Sequence, residues 1–106
     1  MPDSSIDLRA DHLQWVLDIL AKNIPDREVW AFGSRVQGRA KPYSDLDLAV
    51  MGEQPLSLAV QAALADDFAE SDLPIRVDIV DWATTKDNFR QIIARNKVVL
   101  QTPLPA

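Results

Sequence analysis

Cysteine is absent from this 106-residue chain, which removes disulfide frameworks, thiolate nucleophiles, iron–sulfur clusters and Cys-type zinc sites together. A single histidine, His12, cannot build a histidine zinc cluster, and no usual Ser/His/Asp triad is in view. His12 reads instead as a solvated helix-face residue. Uninterrupted apolar runs stop at four residues, far short of a membrane-spanning helix. The opening Met1-Pro2-Asp3-Ser4-Ser5 lacks the basic and apolar regions of a signal peptide. These absences lead to the expectation of a soluble, cytoplasmic protein with no membrane partner. Nor is there an excess of base: 11 Lys and Arg stand against 16 Asp and Glu, a formal charge of −5. That balance disfavours a protein whose main task is to coat nucleic acid, although a local basic patch could still hold phosphates.

What is present is ordinary globular composition, 47% apolar and 25% charged, which argues against intrinsic disorder. The length predicts a single domain over residues 1–106, with its core over about 8–100 and no room for a separate substrate domain. From Leu8 to Asn23, Leu13, Val16, Leu17, Leu20 and Ile24 recur at spacings of three and four, predicting an amphipathic helix with Asp7 as its cap. Arg27 to Phe32 reads as a strand stopping at Gly33, and Asp45 to Met51 as a second. Leu56 to Ser71 reads as a helix, Ile75 to Val80 as a third strand and Asp87 to Asn96 as a final helix. Val98 to Ala106 is a Pro-punctuated tail, either interface material or packing on the final helix. The order is helix, strand, turn, strand, helix, strand, helix, an α/β chain without repeat or linker. Trp15, Trp30 and Trp82 are expected at the core or its edge.

The chemistry concentrates between Phe32 and Leu48. Glycine at a strand end lets a ligand approach the backbone, and Ser34 opens the next turn with N–H groups and a hydroxyl, so that Gly33-Ser34 can cradle phosphate. Taken alone, the dipeptide reads as no more than a tight turn. Asp45 and Asp47 add to it. Residues two apart on a strand share a face, so both carboxylates point one way while Leu46, Leu48 and Val50 point into the core. Such a pair is either a solvated acidic edge or a site for a divalent cation, Mg²⁺ being suited to one or two carboxylates with phosphate and water oxygens. Asp78, in the middle of the third strand between core-type Val77 and Ile79, supplies a third carboxylate if the second and third strands are neighbours. Three carboxylates can hold two metals about 3.5–4 Å apart. Arg76 shares the face of Asp78 and reads as its ion-pair partner, whereas Asp81 faces away. Arg35, Arg39 and Lys41 are loop cations beside the presumed cradle, serving either solubility or phosphate contact, and Tyr43 could pack locally, stack on a base or accept a nucleotide.

Gly33-Ser34, ten intervening residues, then Asp45-X-Asp47 and a later strand carboxylate at Asp78 resemble the nucleotidyltransferase superfamily that includes DNA polymerase beta. The fuller form Gly-Ser-Arg-X-X-Gly-X-X-X-X-X-Ser-Asp-X-Asp-Leu resembles the minimal nucleotidyltransferases, the antitoxins paired with HEPN-domain toxins, over about residues 8 to 100. The resemblance implies a small mixed sheet of about three strands packed with about four helices. It implies ATP as substrate, held at Gly33 and Ser34 with Arg35 and Ser44 in the same binding set. Asp45, Asp47 and Asp78 are then the catalytic and metal-binding residues for Mg²⁺, two ions by this expectation, and Asp78 completes the metal site or serves as base. The activity implied is transfer of AMP from ATP to a tyrosine of a HEPN RNase toxin, with no direct nucleic-acid contact. Two other readings remain open: a small-molecule transferase of the aminoglycoside-modifying kind, and an antitoxin that binds without catalysis.

Overall fold

The computed structural model describes residues 6–103. Helix α1 (Ala10–Asn23) carries Val16 and Leu20, both fully buried, on one face. Arg9, not Asp7, occupies its N-cap position, and no side chain caps it. Asp7 instead exchanges backbone contacts with Arg35: its N–H donates to the Arg35 carbonyl at 2.6 Å. Strand β1 (Val29–Phe32) follows, then a 3₁₀ turn at Ser34–Val36 and strand β2 (Leu46–Val50). Helix α2 (Leu58–Glu70) starts at Ser57, whose hydroxyl accepts from the Val60 N–H and satisfies one of the free donors of the first turn. Strand β3 (Val77–Asp81) leads through a second 3₁₀ turn, Trp82–Thr84, into α3 (Asp87–Arg95) and a fourth strand, β4 (Val98–Gln101).

The sheet order is β3-β2-β1-β4, with β1 antiparallel to both β2 and β4 and β2 parallel to β3. The parallel pair needs a crossover, and α2 supplies it. The fold is thus a mixed α+β arrangement of four strands, three α-helices and two 3₁₀ turns among the described residues. That is one strand more than expected, and the difference is β4. Val98 to Leu100 is an edge strand, not a flap on α3. It pairs with β1, and Gln101 Nε2 ties its end to the carbonyls of Ile24 and Arg27 at 2.8 and 2.9 Å. Leu104, the other apolar residue of the expected tail, lies outside the described residues.

Strand alternation divides the side chains between two cores. Val29, Ala31, Leu46, Leu48 and Val50 join Val16, Leu20, Leu64 and Phe68 under α1 and α2. On the opposite face Phe32, Ala49 and Ile93 form a smaller cluster with Trp30, Met51, Val80 and Trp82. The two helices over the first face are tied at their edge: Asn23 Nδ2 donates to Asp67 at 2.9 Å and Lys22 lies 3.3 Å from the same carboxylate.

Candidate active site

The second face is covered unevenly, and this exposes the acidic residues. Register places Trp30, Ala49 and Val80 in one row across the sheet, and Phe32, Asp47 and Asp78 in the next. Helix α3 seats Ile93 over the apolar row, and Phe89 meets Phe32 edge-on at 5.9 Å between ring centroids. The aromatic pair marks where the cover ends. Beyond it Asp47 and Asp78 stand side by side on adjacent parallel strands, a separation of about 4.8 Å between strands. One residue before the paired Leu46 and Val77 come Asp45 and Arg76, so the open end carries three carboxylates and one guanidinium.

Gly33 connects this acidic patch to the turn after β1. Its φ of 83° and ψ of −157° lie in a region essentially reserved for glycine. A Cβ there would collide with Oδ2 of Asp47. The missing side chain therefore lets the Asp47 carboxylate rest against the start of the Ser34–Val36 turn. The Gly33-Ser34 turn and the Asp47 carboxylate consequently meet in space although twelve residues of chain separate Ser34 from Asp47.

The charges are unequal in their surroundings. Partial burial pushes the Asp47 carboxyl above the usual aspartate value, and the neighbouring Asp78 and Asp45 charges add to the rise, with Arg76 opposing it. Arg76 reaches Asp78 at 3.2 Å and Asp45 at 3.7 Å. Its guanidinium is held above its ordinary range by the hydrogen bond it donates to Asp78, then by the Asp78 and Asp45 charges. All the donors at this end are carboxylate oxygens, the hard ligand type that suits Mg²⁺. As they stand, no three acidic, histidine or cysteine side chains among the described residues are close enough together to hold a metal ion by themselves. The residues fit a cation bound in an open manner, with the remaining positions filled by substrate and water oxygens.

Arg35 and Ser44 take other places from those expected of phosphate ligands. The Arg35 side chain is buried at 7% exposure, and its guanidinium donates to backbone carbonyls of Asp7 (2.7 Å), Ser44 (3.1 Å), Pro42 (3.2 Å) and Lys41 (3.4 Å). Arg35 therefore pins the 41–44 loop and the segment before α1 to the turn. The Ser44 hydroxyl accepts from the Lys41 N–H at 2.9 Å inside that loop. Tyr43, expected to pack locally as one alternative, is 89% exposed beside it. Asp81 stays out of the cluster: its two carboxylate oxygens accept from the N–H groups of Leu56 and Ala83. The bridge from Arg76 to Asp45 is the feature the sequence reading missed. The signal was the parallel β2–β3 register, which puts Arg76 opposite Asp45 as well as two residues before Asp78. Along the outer edge of β3 a cavity of about 430 Å³, lined by Leu64, Ala65, Phe68, Leu73 and Ile75, reaches Arg76 and Asp78.

Comparison with known proteins fits this geometry. The family model described as "Polymerase beta, Nucleotidyltransferase" matches residues 15–103. A relative from Haemophilus influenzae, described as a probable protein adenylyltransferase MntA, is 51% identical over 98 residues, covering 92% of this chain and 86% of its own. The protein adenylyltransferase MntA of Thermococcus cleftensis is 36% identical over 72 residues, covering 68% and 72%. Among solved structures, a toxin–antitoxin with AMP-PNP superposes with a TM-score of 0.72 at 28% identity, over 85% of this chain and 73% of that one. A tri-AMPylated Shewanella oneidensis HEPN toxin in complex with MNT antitoxin gives 0.67 at 25% identity, over 90% and 73%. Among the described residues no helix is long and apolar enough to cross a membrane. With a matching model over most of its length and a half-identical relative, the chain belongs to the polymerase-beta nucleotidyltransferase family.

Proposed function

We propose that this protein is an antitoxin that transfers AMP from ATP to a tyrosine of a HEPN-type toxin. The observation that carries the reading is the row of Asp47 and Asp78, flanked by Asp45, on the uncovered end of the sheet and in contact with the Gly33 turn. The relatives support the choice of acceptor class: one is described as a probable protein adenylyltransferase and another as a protein adenylyltransferase, and a solved neighbour is an MNT antitoxin in complex with a tri-AMPylated HEPN toxin. Asp45, Asp47 and Asp78 would hold Mg²⁺, which supplies neutralisation of the charge that develops on the phosphates during transfer.

The chain's own groups then have these tasks. Gly33 and Ser34 bind the triphosphate through the backbone and hydroxyl of the turn. Arg35 keeps the 41–44 loop in place behind that turn, so that Asp45 enters β2 in the right register. Asp78, at the edge of the sheet and nearest the cavity along β3, takes the proton from the incoming tyrosine hydroxyl. The hydroxyl oxygen bonds to the α-phosphorus, the bond from that phosphorus to the bridging oxygen of the β-phosphate breaks, and pyrophosphate leaves. No wall closes the acidic end of the sheet within the described residues, so the partner itself positions the acceptor.

The test is incubation with ATP, Mg²⁺ and the toxin-like product of the adjacent gene, followed by peptide mass mapping. The expected result is AMP on a tyrosine of the partner. Complex formation without AMP on the partner would favour the non-catalytic antitoxin, and AMP found only on added aminoglycosides would favour the small-molecule transferase.

A further inference from the structure

We propose that Arg76 is the resident counterion of the carboxylate site, occupying Asp45 and Asp78 in the absence of metal and giving them up when a divalent cation binds. The inference rests on the reading of Asp45, Asp47 and Asp78 as metal ligands under the proposed function. Its basis is geometric. Arg76 stands one residue before β3, and its carbonyl accepts from the Leu46 N–H at 2.9 Å, so its backbone is fixed in the ladder. The side chain emerges on the same face as Asp78 and opposite Asp45, and its terminal nitrogen lies between them, 3.2 Å from one carboxylate and 3.7 Å from the other.

The placement answers an electrostatic problem. Three carboxylates on one open sheet end repel one another, and partial burial of Asp47 worsens the conflict. A guanidinium lying across two of them relieves part of the repulsion. The same contact cannot be tight: the Arg76 side chain is 74% exposed and each carboxylate 41% exposed, and exposed ion pairs shift an equilibrium by only a few-fold. A divalent cation carries twice the charge and bonds to the oxygens directly, so it displaces the guanidinium while the backbone of Arg76 stays where it is. The site is thereby kept open and correctly spaced without being locked. Because both cations use the same oxygens, Arg76 lowers the metal affinity of the free protein and makes it depend on ionic strength.

The test uses the full-length chain and Mn²⁺ alone as probe, followed by its paramagnetic relaxation. Arg76→Gln should bind Mn²⁺ about three- to tenfold more tightly than the parent at low salt, the effect of removing one competing unit charge a few ångströms away. The difference should shrink at high salt. Arg9→Gln, which removes a cation paired with Asp11 at the start of the first helix, should change the affinity less than twofold. In the parent, the Arg76 Nε–H signal should move during a Mg²⁺ titration with the midpoint of metal binding. Equal or weaker Mn²⁺ binding by Arg76→Gln, or an Arg76 signal that ignores Mg²⁺, overturns the inference while leaving the ligand assignment standing. A parent that binds no Mn²⁺ overturns both. Binding in the expected pattern with no AMP transfer retains the inference and removes the proposed function.

Discussion

At the scale of single residues, Gly33 and Asp47 form one unit. Gly33 is needed both for its backbone conformation and for the space its missing side chain leaves to the Asp47 carboxylate. Gly33→Ala is expected to cost about 1–3 kcal/mol of stability through the strained backbone alone, and to displace the carboxylate as well. Chemical denaturation beside Mn²⁺ affinity measures both effects. The elevated Asp47 carboxyl has its own consequence. A folded-state value above the ordinary 3.8 means that the native protein holds this proton more tightly than the unfolded chain. Ionisation therefore costs stability above the raised value, and the cost disappears as pH falls below the ordinary one. Metal-free Asp47→Asn is expected to be more stable than the parent at pH 7, with the gain fading towards pH 3, as read from denaturation midpoints across that range. Arg35 shows the limit of reading residue by residue. Its place in a Gly-Ser-Arg motif suggested phosphate, but its guanidinium serves carbonyls contributed by residues six to nine positions later and by Asp7, a destination that no local pattern encodes.

Among the elements, those with a strong period were legible in the sequence and the one without was not. The three-and-four spacing of Leu13, Val16, Leu20 and Ile24 and the alternation of Leu46, Leu48 and Val50 against Asp47 each reflect a face that the fold buries. That same alternation made the shared direction of Asp45 and Asp47 readable. Strand β4 was hidden because Val98-Val99-Leu100-Gln101 is only one strand turn long, lies between Lys97 and Pro103, and is defined by its pairing with β1, a partner about seventy residues away in the chain. The expected packing of this segment on the final helix is corrected accordingly: it pairs with β1. Truncation after Asn96 would strip a hydrogen-bonded edge from β1 and uncover the surface against which Leu100 packs. A loss on the order of 2–4 kcal/mol is expected, visible as a lowered thermal midpoint. An unchanged midpoint would mean that β4 contributes nothing to the fold. The tie between α1 and α2 has a pH signature too. The hydrogen bond from Asn23, and then that from Lys22, hold the Asp67 carboxyl below its ordinary value, so its contribution is present at neutral pH and lost as acid protonates it.

For the whole molecule, stability and chemistry occupy opposite parts of one sheet. The large core lies under α1 and α2, the small one under α3, and the carboxylates sit past the Phe32–Phe89 contact where neither reaches. This separation makes the central claim testable, because the site can be disabled without touching the packing. The most direct measurement is the intact mass of the toxin partner after incubation with ATP and Mg²⁺, comparing the parent with the Asp45→Asn, Asp47→Asn double variant. The variant is expected to keep the parent's far-ultraviolet circular dichroism and a thermal midpoint at or above the parent's. Its AMP transfer should fall by on the order of 10²–10³ or more, as expected on loss of the electrostatic stabilisation of the transferring phosphoryl group. A folded double variant that adds AMP to the partner at the parental rate would contradict the account.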